Sequence, residues 1–324
     1  MMMNALQTTL QQEHLATELI ELVDNIIAVT RTISEKVGMG ALGESLGVTC
    51  ETNVQGEVQK KLDVIANNLL ISALSANSSV RAIASEEEEH TIFVTAGAPY
   101  LVAFDPLDGS TNIDINAQIG TIFTIFAARD HVPDASDEQF FQSGHHQLCA
   151  GYVLYGPYTT LAITAGRATH EFTLNKISGE FILSKPNLIM PKGTCEFAAN
   201  MSNLFYWPNS LQKYIQHLIA KKTDEPRFNM RWQGAMVADV HRILTRGGVF
   251  IYPSDCRDSK RPAKLRLLYE AFPMALLVEA AGGEAYSEAG KILSTELTSL
   301  HQRTPVIIGD GELVSGCYQA LLED

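Results

Sequence analysis

No run of about 18 apolar residues occurs in the 324-residue chain, so no membrane-spanning helix is expected. A charged-then-apolar leader with a cleavage site is missing too, and an unprocessed cytoplasmic protein is expected. Positive charge is scarce: 24 Lys and Arg stand against 37 Asp and Glu, for a net charge of −13. Nucleic acid and anionic membrane surfaces call for the opposite balance and are not expected as partners. The five cysteines (Cys50, Cys149, Cys195, Cys256, Cys317) are odd in number and far apart, with no C-x-x-C. They suit packed thiols in a reducing compartment. There is no G-x-S-x-G and no histidine pair at zinc spacing, since His145 and His146 fall in an expected loop. Nucleophilic catalysis by a side chain therefore finds little support.

What is present is a 46% hydrophobic chain without repeats or low-complexity segments, long enough for a large core in two closely packed parts. Leu15, Leu19, Leu22, Ile26, Ile27 and Ile33 recur at helical spacing and predict an opening amphipathic helix over 15–33. A second helix is expected over about 57–75. Strand-like runs follow ("VRAIAS", "TIFVT", "YLVAF", "GTIFTIFAA", "CAGYVLYG", "TTLAITA", "ATHEFTL", "GEFILS"), and from about 200 helices and strands alternate. This texture predicts an α+β half over 1–195 joined by "KPNLIMPKG" to an α/β half over 196–324.

The stretch "YLVAFDPLDGSTN" (100–112) carries the strongest chemical signal. A continuous apolar run fits a strand buried on both faces, and it ends on Asp105, where open α/β sheets present ligands. Pro106 should stop the ladder because it has no N–H. Asp108 and Gly109 read as a turn, after which Gly109, Ser110 and Thr111 can aim amides and hydroxyls at an anion. Oxygen ligands of this kind suit Mg²⁺ or Mn²⁺. The reading is a hard-cation site beside a phosphate cradle, where bound cations activate water against a phosphate ester.

Other carboxylates are candidates by position. "SEEEE" (85–89) follows a strand, so Glu86 could share a cation with Asp105 and Asp108, while Glu88 and Glu89 fit a solvated face. Glu57 and Asp63, six residues apart, do not share a strict helix face; each could lean into the site or sit at the surface. Glu270 lies in a strongly apolar helix and needs a partner, either a metal or a salt bridge. Arg257, Lys260, Arg261, Lys264 and Arg266 concentrate positive charge in an acidic protein. They would hold an anionic substrate group away from the carboxylates, or form an exposed basic loop.

"DPLDGSTN", with "SEE" before it and "E…EAAGG" after it, resembles the metal signature of the lithium-sensitive, Mg-dependent phosphatase superfamily. "NVQGEVQKKLDVIAN", "DPLDGSTNIDINAQIGTIF", "AGYVLYG", "GAMVADVHRIL", "GGVFIYP", "KLRLLYEAFPMA" and "LHQRTPVIIG" closely resemble the class I fructose-1,6-bisphosphatases over about residues 50–310. The resemblance implies a layered αβαβα sandwich and a homo-oligomer of four chains. It implies two or more Mg²⁺ per subunit, with Mn²⁺ as a substitute, held by Glu86, Asp105, Asp108, Glu270 and the carbonyl of Leu107. Asp63 and Glu87 match the pair that handles the attacking water's proton. Asp108, Gly109, Ser110 and Thr111 match contacts around the 1-phosphate. Asn200, Trp232, Phe250, Ile251, Tyr252 and Lys264 match the region that holds the sugar and 6-phosphate, and Arg231 matches an arginine contributed by a neighbouring subunit.

The implied reaction is Mg²⁺-dependent hydrolysis of D-fructose 1,6-bisphosphate to fructose 6-phosphate, in gluconeogenesis or the Calvin cycle. A dual enzyme that also takes sedoheptulose 1,7-bisphosphate, and a catalytically silent sugar-phosphate sensor, are the alternatives. Three departures stand out. Glu57 replaces an aspartate of animal members, Trp232 replaces a tyrosine, and "NMSN" (200–203) replaces the usual "NEG". The tryptophan is similar to that of Calvin-cycle variants from autotrophic bacteria. AMP-inhibited relatives cradle the nucleotide phosphate with Thr-Gly-Glu-Leu-Thr, a lysine-tyrosine pair and a distant arginine. Here "ATELI" (16–20), Pro99 before Tyr100, and Ala127 stand at those places, so insensitivity to AMP is expected. No inserted cysteine loop like that of the chloroplast enzymes is present, and thioredoxin control is not expected either.

Overall fold

Asn4 opens the first helix by accepting the Gln7 amide at 2.8 Å while the Gln7 side chain accepts the Asn4 amide at 3.1 Å, a reciprocal cap for otherwise orphaned donors. The computed structural model describes residues 3–43, 47–52, 58–220, 227–257 and 263–323. Helix α1 (Ala5–Gln12) is followed by α2 (Thr17–Met39), which extends the expected 15–33 helix and ends where Gly40 turns to φ +48°. Strands β1 (Val48–Thr52) and β2 (Val58–Lys60) pair antiparallel. The second expected helix is α3 (Lys61–Ser75); it starts later than predicted because β2 occupies the preceding residues. Glu57 lies outside the described residues.

An eight-stranded mixed sheet follows, built from β3 (Val80–Ser85), β4 (Ile92–Phe93), β5 (Tyr100–Asp108), β6 (Ile119–Ala127), β7 (Gln147–Tyr155), β8 (Thr159–Thr164), β9 (Thr169–Asn175) and β10 (Glu180–Leu188). Its spatial order is β10-β9-β8-β7-β6-β5-β3-β4. A six-stranded sheet of order β12-β11-β13-β16-β14-β15 uses β11 (Glu196–Ala199), β12 (Asn229–Met230), β13 (Val249–Tyr252), β14 (Glu284–Ser287), β15 (Gly290–Lys291) and β16 (Val306–Gly309). Helices α4 (Asn209–Ile219), α5 (Met236–Arg246), α6 (Phe272–Ala280) and α7 (Gly311–Leu322) complete the chain.

Side-chain alternation along the strands builds the layers. On β5, Tyr100, Val102 and Phe104 pack with residues of α1, α2 and α3. Leu101 and Ala103 face the opposite way, into a core shared with α5 and α6. On β13 the same rule puts Phe250 in that central core and Val249 and Ile251 in a third core with α4 and α7. The result is helices, sheet, helices, sheet, helices: the expected αβαβα arrangement.

Two local expectations are corrected. Pro106 does not end β5; the strand runs on to Asp108, which pairs with Gly120 of β6 after a register shift between Asp105 and Asp108. A bulge absorbs the missing donor there, and it also re-aims side chains. "TIFVT" contributes only the two-residue β4, with Phe93 exposed at the sheet's edge. "EAYS", "EFAA" and the terminal α7 are additional elements that the sequence reading did not single out.

Candidate active site

Four segments converge between the sheets: the end of β3, the bulge of β5, the first turn of α5, and a π turn (Leu267–Ala271) that leads into α6. Such π turns often mark functional positions. Together they wall a cavity of about 610 Å³. Of the residues predicted for the site, Glu86, Glu87, Asp105, Leu107, Asp108, Gly109, Ser110, Thr111, Asn200, Trp232, Phe250, Tyr252, Lys264 and Glu270 line it.

Carboxylate oxygens of Asp105, Asp108 and Glu270 lie within 4.8 Å of one another. Glu86 adjoins them, its Oε1 2.6 Å from the Arg266 guanidinium. Burial, followed by the charges of Glu86 and other acids, holds Asp105 well above the ordinary carboxylate range. Burial also pushes Glu270 up to about 8, with Glu86 adding to the rise. Asp108 reaches only about 6 because the Val237 amide donates to it at 2.5 Å. Crowded acids that resist ionisation are the donor set a hard divalent cation would satisfy, since the ion supplies the missing positive charge. The residues present therefore fit Mg²⁺ or Mn²⁺.

Asp63 stands behind this wall. It is the third residue of α3 and accepts the Lys60 amide at 3.2 Å, while its Oδ1 is buried without a hydrogen-bond partner. Burial first, and then the charge of Glu87, pushes it up to about 8. The turn bearing Glu86 and Glu87 is tied down from α3: Ser85 Oγ donates to Asn67 at 2.7 Å, and Asn67 donates to Glu88 at 2.8 Å. Glu88 thus has a positional tie within the fold, whereas Glu89 is exposed as expected.

The cradle is set by Gly109, whose φ of +84° is left-handed and whose Cα faces Ala235 so closely that any Cβ would collide with the Ala235 methyl. Only glycine meets both conditions. A short 3₁₀ turn, Ser110–Asn112, follows it. On another wall Trp232 stacks on Phe250, with ring centroids 6.1 Å apart and an interplanar angle of 11°, and Tyr252 tilts against both. Asn200 spends its side-chain oxygen on the Ser202 amide while still bordering the cavity.

Besides Asp63, two predicted residues are not brought to the cavity wall. Ile251 is fully buried on the other face of β13, as alternation requires once Phe250 and Tyr252 face inward. Arg231 is exposed and donates to its own neighbour's carbonyl, Met230, at 2.9 Å. The basic cluster also divides. Lys264 is exposed at the cavity, but Arg266 is buried among the acids, its amide 2.6 Å from Glu270. It does not stand apart from the carboxylates as the charge pattern implied. Arg257 pairs with Asp255, and Lys260 and Arg261 lie outside the described residues. Lys60, Gly234, Met236 and Leu265 complete the lining without having been anticipated. Nothing in their local sequence marks them, because tertiary packing alone delivers them.

A carboxylate wall beside a glycine-hydroxyl cradle, between two sheets, defines a class of layered α+β proteins that handle phosphate groups next to a cation. Residues 3–186 match the family model "Fructose-1-6-bisphosphatase, N-terminal domain" and 190–322 match its C-terminal counterpart. The chain belongs to the fructose-1,6-bisphosphatase family. It is 52% identical to "Fructose-1,6-bisphosphatase class 1" of Cellvibrio japonicus over 99% of this chain and 100% of that protein. The protein of the same name in Colwellia psychrerythraea is 48% identical, over 97% and 98%. The holo-form crystal structure of Leishmania major fructose-1,6-bisphosphatase superposes with a TM-score of 0.91 at 36% identity, covering 98% of both chains.

Proposed function

We propose that this chain is a Mg²⁺-dependent phosphatase that converts D-fructose 1,6-bisphosphate and water to fructose 6-phosphate and phosphate. The observation that carries the reading is the convergence of Asp105, Asp108 and Glu270 within 4.8 Å in the cavity that also presents Gly109, Ser110, Thr111 and Lys264. Family membership at about 50% identity over the whole chain supports the same activity.

In this reading Glu86, Asp105, Asp108, Glu270 and the Leu107 carbonyl hold the cations. When bound, Mg²⁺ supplies neutralisation of the phosphoryl oxygens and a lowered pKa for water. The chain's own groups do the rest. Amides and hydroxyls of Gly109–Thr111 orient the 1-phosphate for attack opposite the C1 oxygen. Asp63 Oδ1 and the Glu87 carboxylate take up the proton that the attacking water loses as its oxygen bonds to phosphorus and the bond from phosphorus to the C1 oxygen breaks. Burial pushes the Asp63 carboxyl up to about 8 in the cation-free protein, and the positive charge of a bound cation would draw it back toward neutral pH, where a proton acceptor works best.

Lys264, Tyr252, Asn200 and the ring wall hold the sugar and the 6-phosphate. Arg231, exposed on its own chain, serves the cavity of a neighbouring copy, so the active form is a homo-oligomer. Residues 1–195 supply the cradle and most acids, and 196–324 supply the sugar contacts and Glu270. The testing experiment is phosphate release from fructose 1,6-bisphosphate with Mg²⁺ and with EDTA; sedoheptulose 1,7-bisphosphate run in parallel measures the ketose preference. Release that ignores EDTA, or none with Mg²⁺, overturns the reading.

A further inference from the structure

Asp239 lies outside the acid wall and the cavity lining, yet it is fully buried in the first turn of α5. Its Oδ1 accepts the Gln233 amide at 3.0 Å, and the Gly234 amide also favours its charged form. Its Oδ2 is buried without a hydrogen-bond partner. A buried carboxylate on these terms costs stability, so the turn it grips is the place to look for its use.

That turn joins β12 to α5 and carries three contacts with the site. Trp232 forms the ring wall with Phe250 and Tyr252. Ala235 is the residue against which Gly109 packs. The Gln233 carbonyl accepts from Asn112 Nδ2 at 3.0 Å, which ties the turn to the end of the cradle. The Gln233 side chain donates to the Ala238 carbonyl at 3.1 Å, closing the turn back onto the helix.

The geometry points to Asp239 as a positioning residue that holds the ring wall at a set distance from the anion cradle, so that one substrate engages both. This rests on the sugar-bisphosphate reading above. A substrate with two phosphates spans both walls; one with a single phosphate at C1 needs the cradle and the acids alone. Loss of the Asp239 grip should therefore penalise the first substrate and spare the second.

The experiment compares wild type with Asp239→Asn, which keeps one oxygen acceptor but removes the charge that the Gln233 and Gly234 amides favour, and so weakens the grip. Steady-state kcat and KM are measured for fructose 1,6-bisphosphate and for fructose 1-phosphate. The ratio of the two kcat/KM values should fall about tenfold, the size of one misplaced hydrogen-bonded contact, through KM for the bisphosphate. Acrylamide quenching is measured in a Trp207→Phe background, where Trp232 is the sole tryptophan; Asp239→Asn should raise the quenching constant roughly twofold as the stacked indole loosens. If Asp239→Asn does not fold, Asp239→Ser, which keeps one acceptor, replaces it. An unchanged ratio with unchanged quenching overturns the assignment. So does an equal fall for both substrates with Trp232 unmoved, which is the mark of a merely structural residue. If wild type releases phosphate from neither substrate, the phosphatase reading is what fails, and the quenching still decides whether Asp239 holds the turn.

Discussion

The Val237 amide donates a 2.5 Å hydrogen bond to Asp108 Oδ2, so the positive end of α5 and the acid wall meet at a single oxygen. A helix N-terminus stabilises negative charge; this contact offsets the burial that raises Asp108, which reaches about 6, while burial and the charge of Glu86 carry Glu270 to about 8.

Asp108→Asn preserves an acceptor for Val237 but removes one charge from the cation site. Phosphate release at saturating Mg²⁺ should drop by about 10³-fold, in keeping with loss of a charge-stabilising group. Circular dichroism should be unchanged, and the Tm in EDTA should rise because repulsion is relieved. Wild-type turnover in this variant would remove the site from this wall.

Cation-free protein should lose stability as pH rises. Folding raises the pKa of Asp108 to about 6 and those of Asp63 and Glu270 to about 8, from ordinary values of 3.8 and 4.5. The folded state therefore binds more protons than the unfolded state above about pH 4, and these groups oppose folding increasingly up to about pH 8. Thermal melts in EDTA should show Tm falling from about pH 5.5 to about pH 8.5, and millimolar Mg²⁺ should flatten the slope. A slope that Mg²⁺ does not touch would detach the titration from the cation site.

Glu87→Gln removes a proton acceptor beside Asp63 without altering size. Roughly 10²-fold loss of kcat with little change in KM is expected, the ordinary scale of a general base. An effect confined to KM would make Glu87 a binding residue instead.

Arg231→Ala and Asp108→Asn chains, each inactive alone, should regain partial activity when mixed and allowed to exchange subunits, because hybrid sites then contain one intact set. Demonstrated exchange without recovery would return Arg231 to its own chain's chemistry.

AMP should not inhibit at physiological concentration. Ala16 caps α2 without a side-chain hydrogen bond, Tyr100 is buried, and β6 ends on Ala127, leaving a nucleotide phosphate without the expected hydroxyl and cations. Each missing charge-assisted contact weakens binding by roughly tenfold to a hundredfold. A titration of AMP at saturating Mg²⁺ checks this, and cooperative inhibition at micromolar AMP would contradict it.

Much of this architecture is legible in the local sequence. The apolar run ahead of Asp105 specified a strand buried on both faces, and "DPLDGSTN" specified acids followed by an anion-binding turn, because strand period and turn chemistry act within a few residues. Alternation likewise required Ile251 and its neighbours Phe250 and Tyr252 to face opposite ways. It did not say which face held the cavity, since that depends on which helices cover the sheet.

Tertiary structure alone decided the electrostatics. Arg266 looked like part of a substrate-binding cluster, yet the π turn buries it against Glu86 and Glu270. Asp63, Glu87, Asp105 and Glu270 belong to separate segments whose approach is set by packing of α3 and the π turn on the first sheet. Asp239 reads as one polar residue on an amphipathic helix until the turn it holds is seen. The sequence determined the kinds of chemistry the chain could perform and the strands that carry them, because those follow from local periods. Distances between charges arise from long-range packing, and only the folded chain determines which acids crowd a cation, which base accepts a proton, and which residues keep the two walls apart.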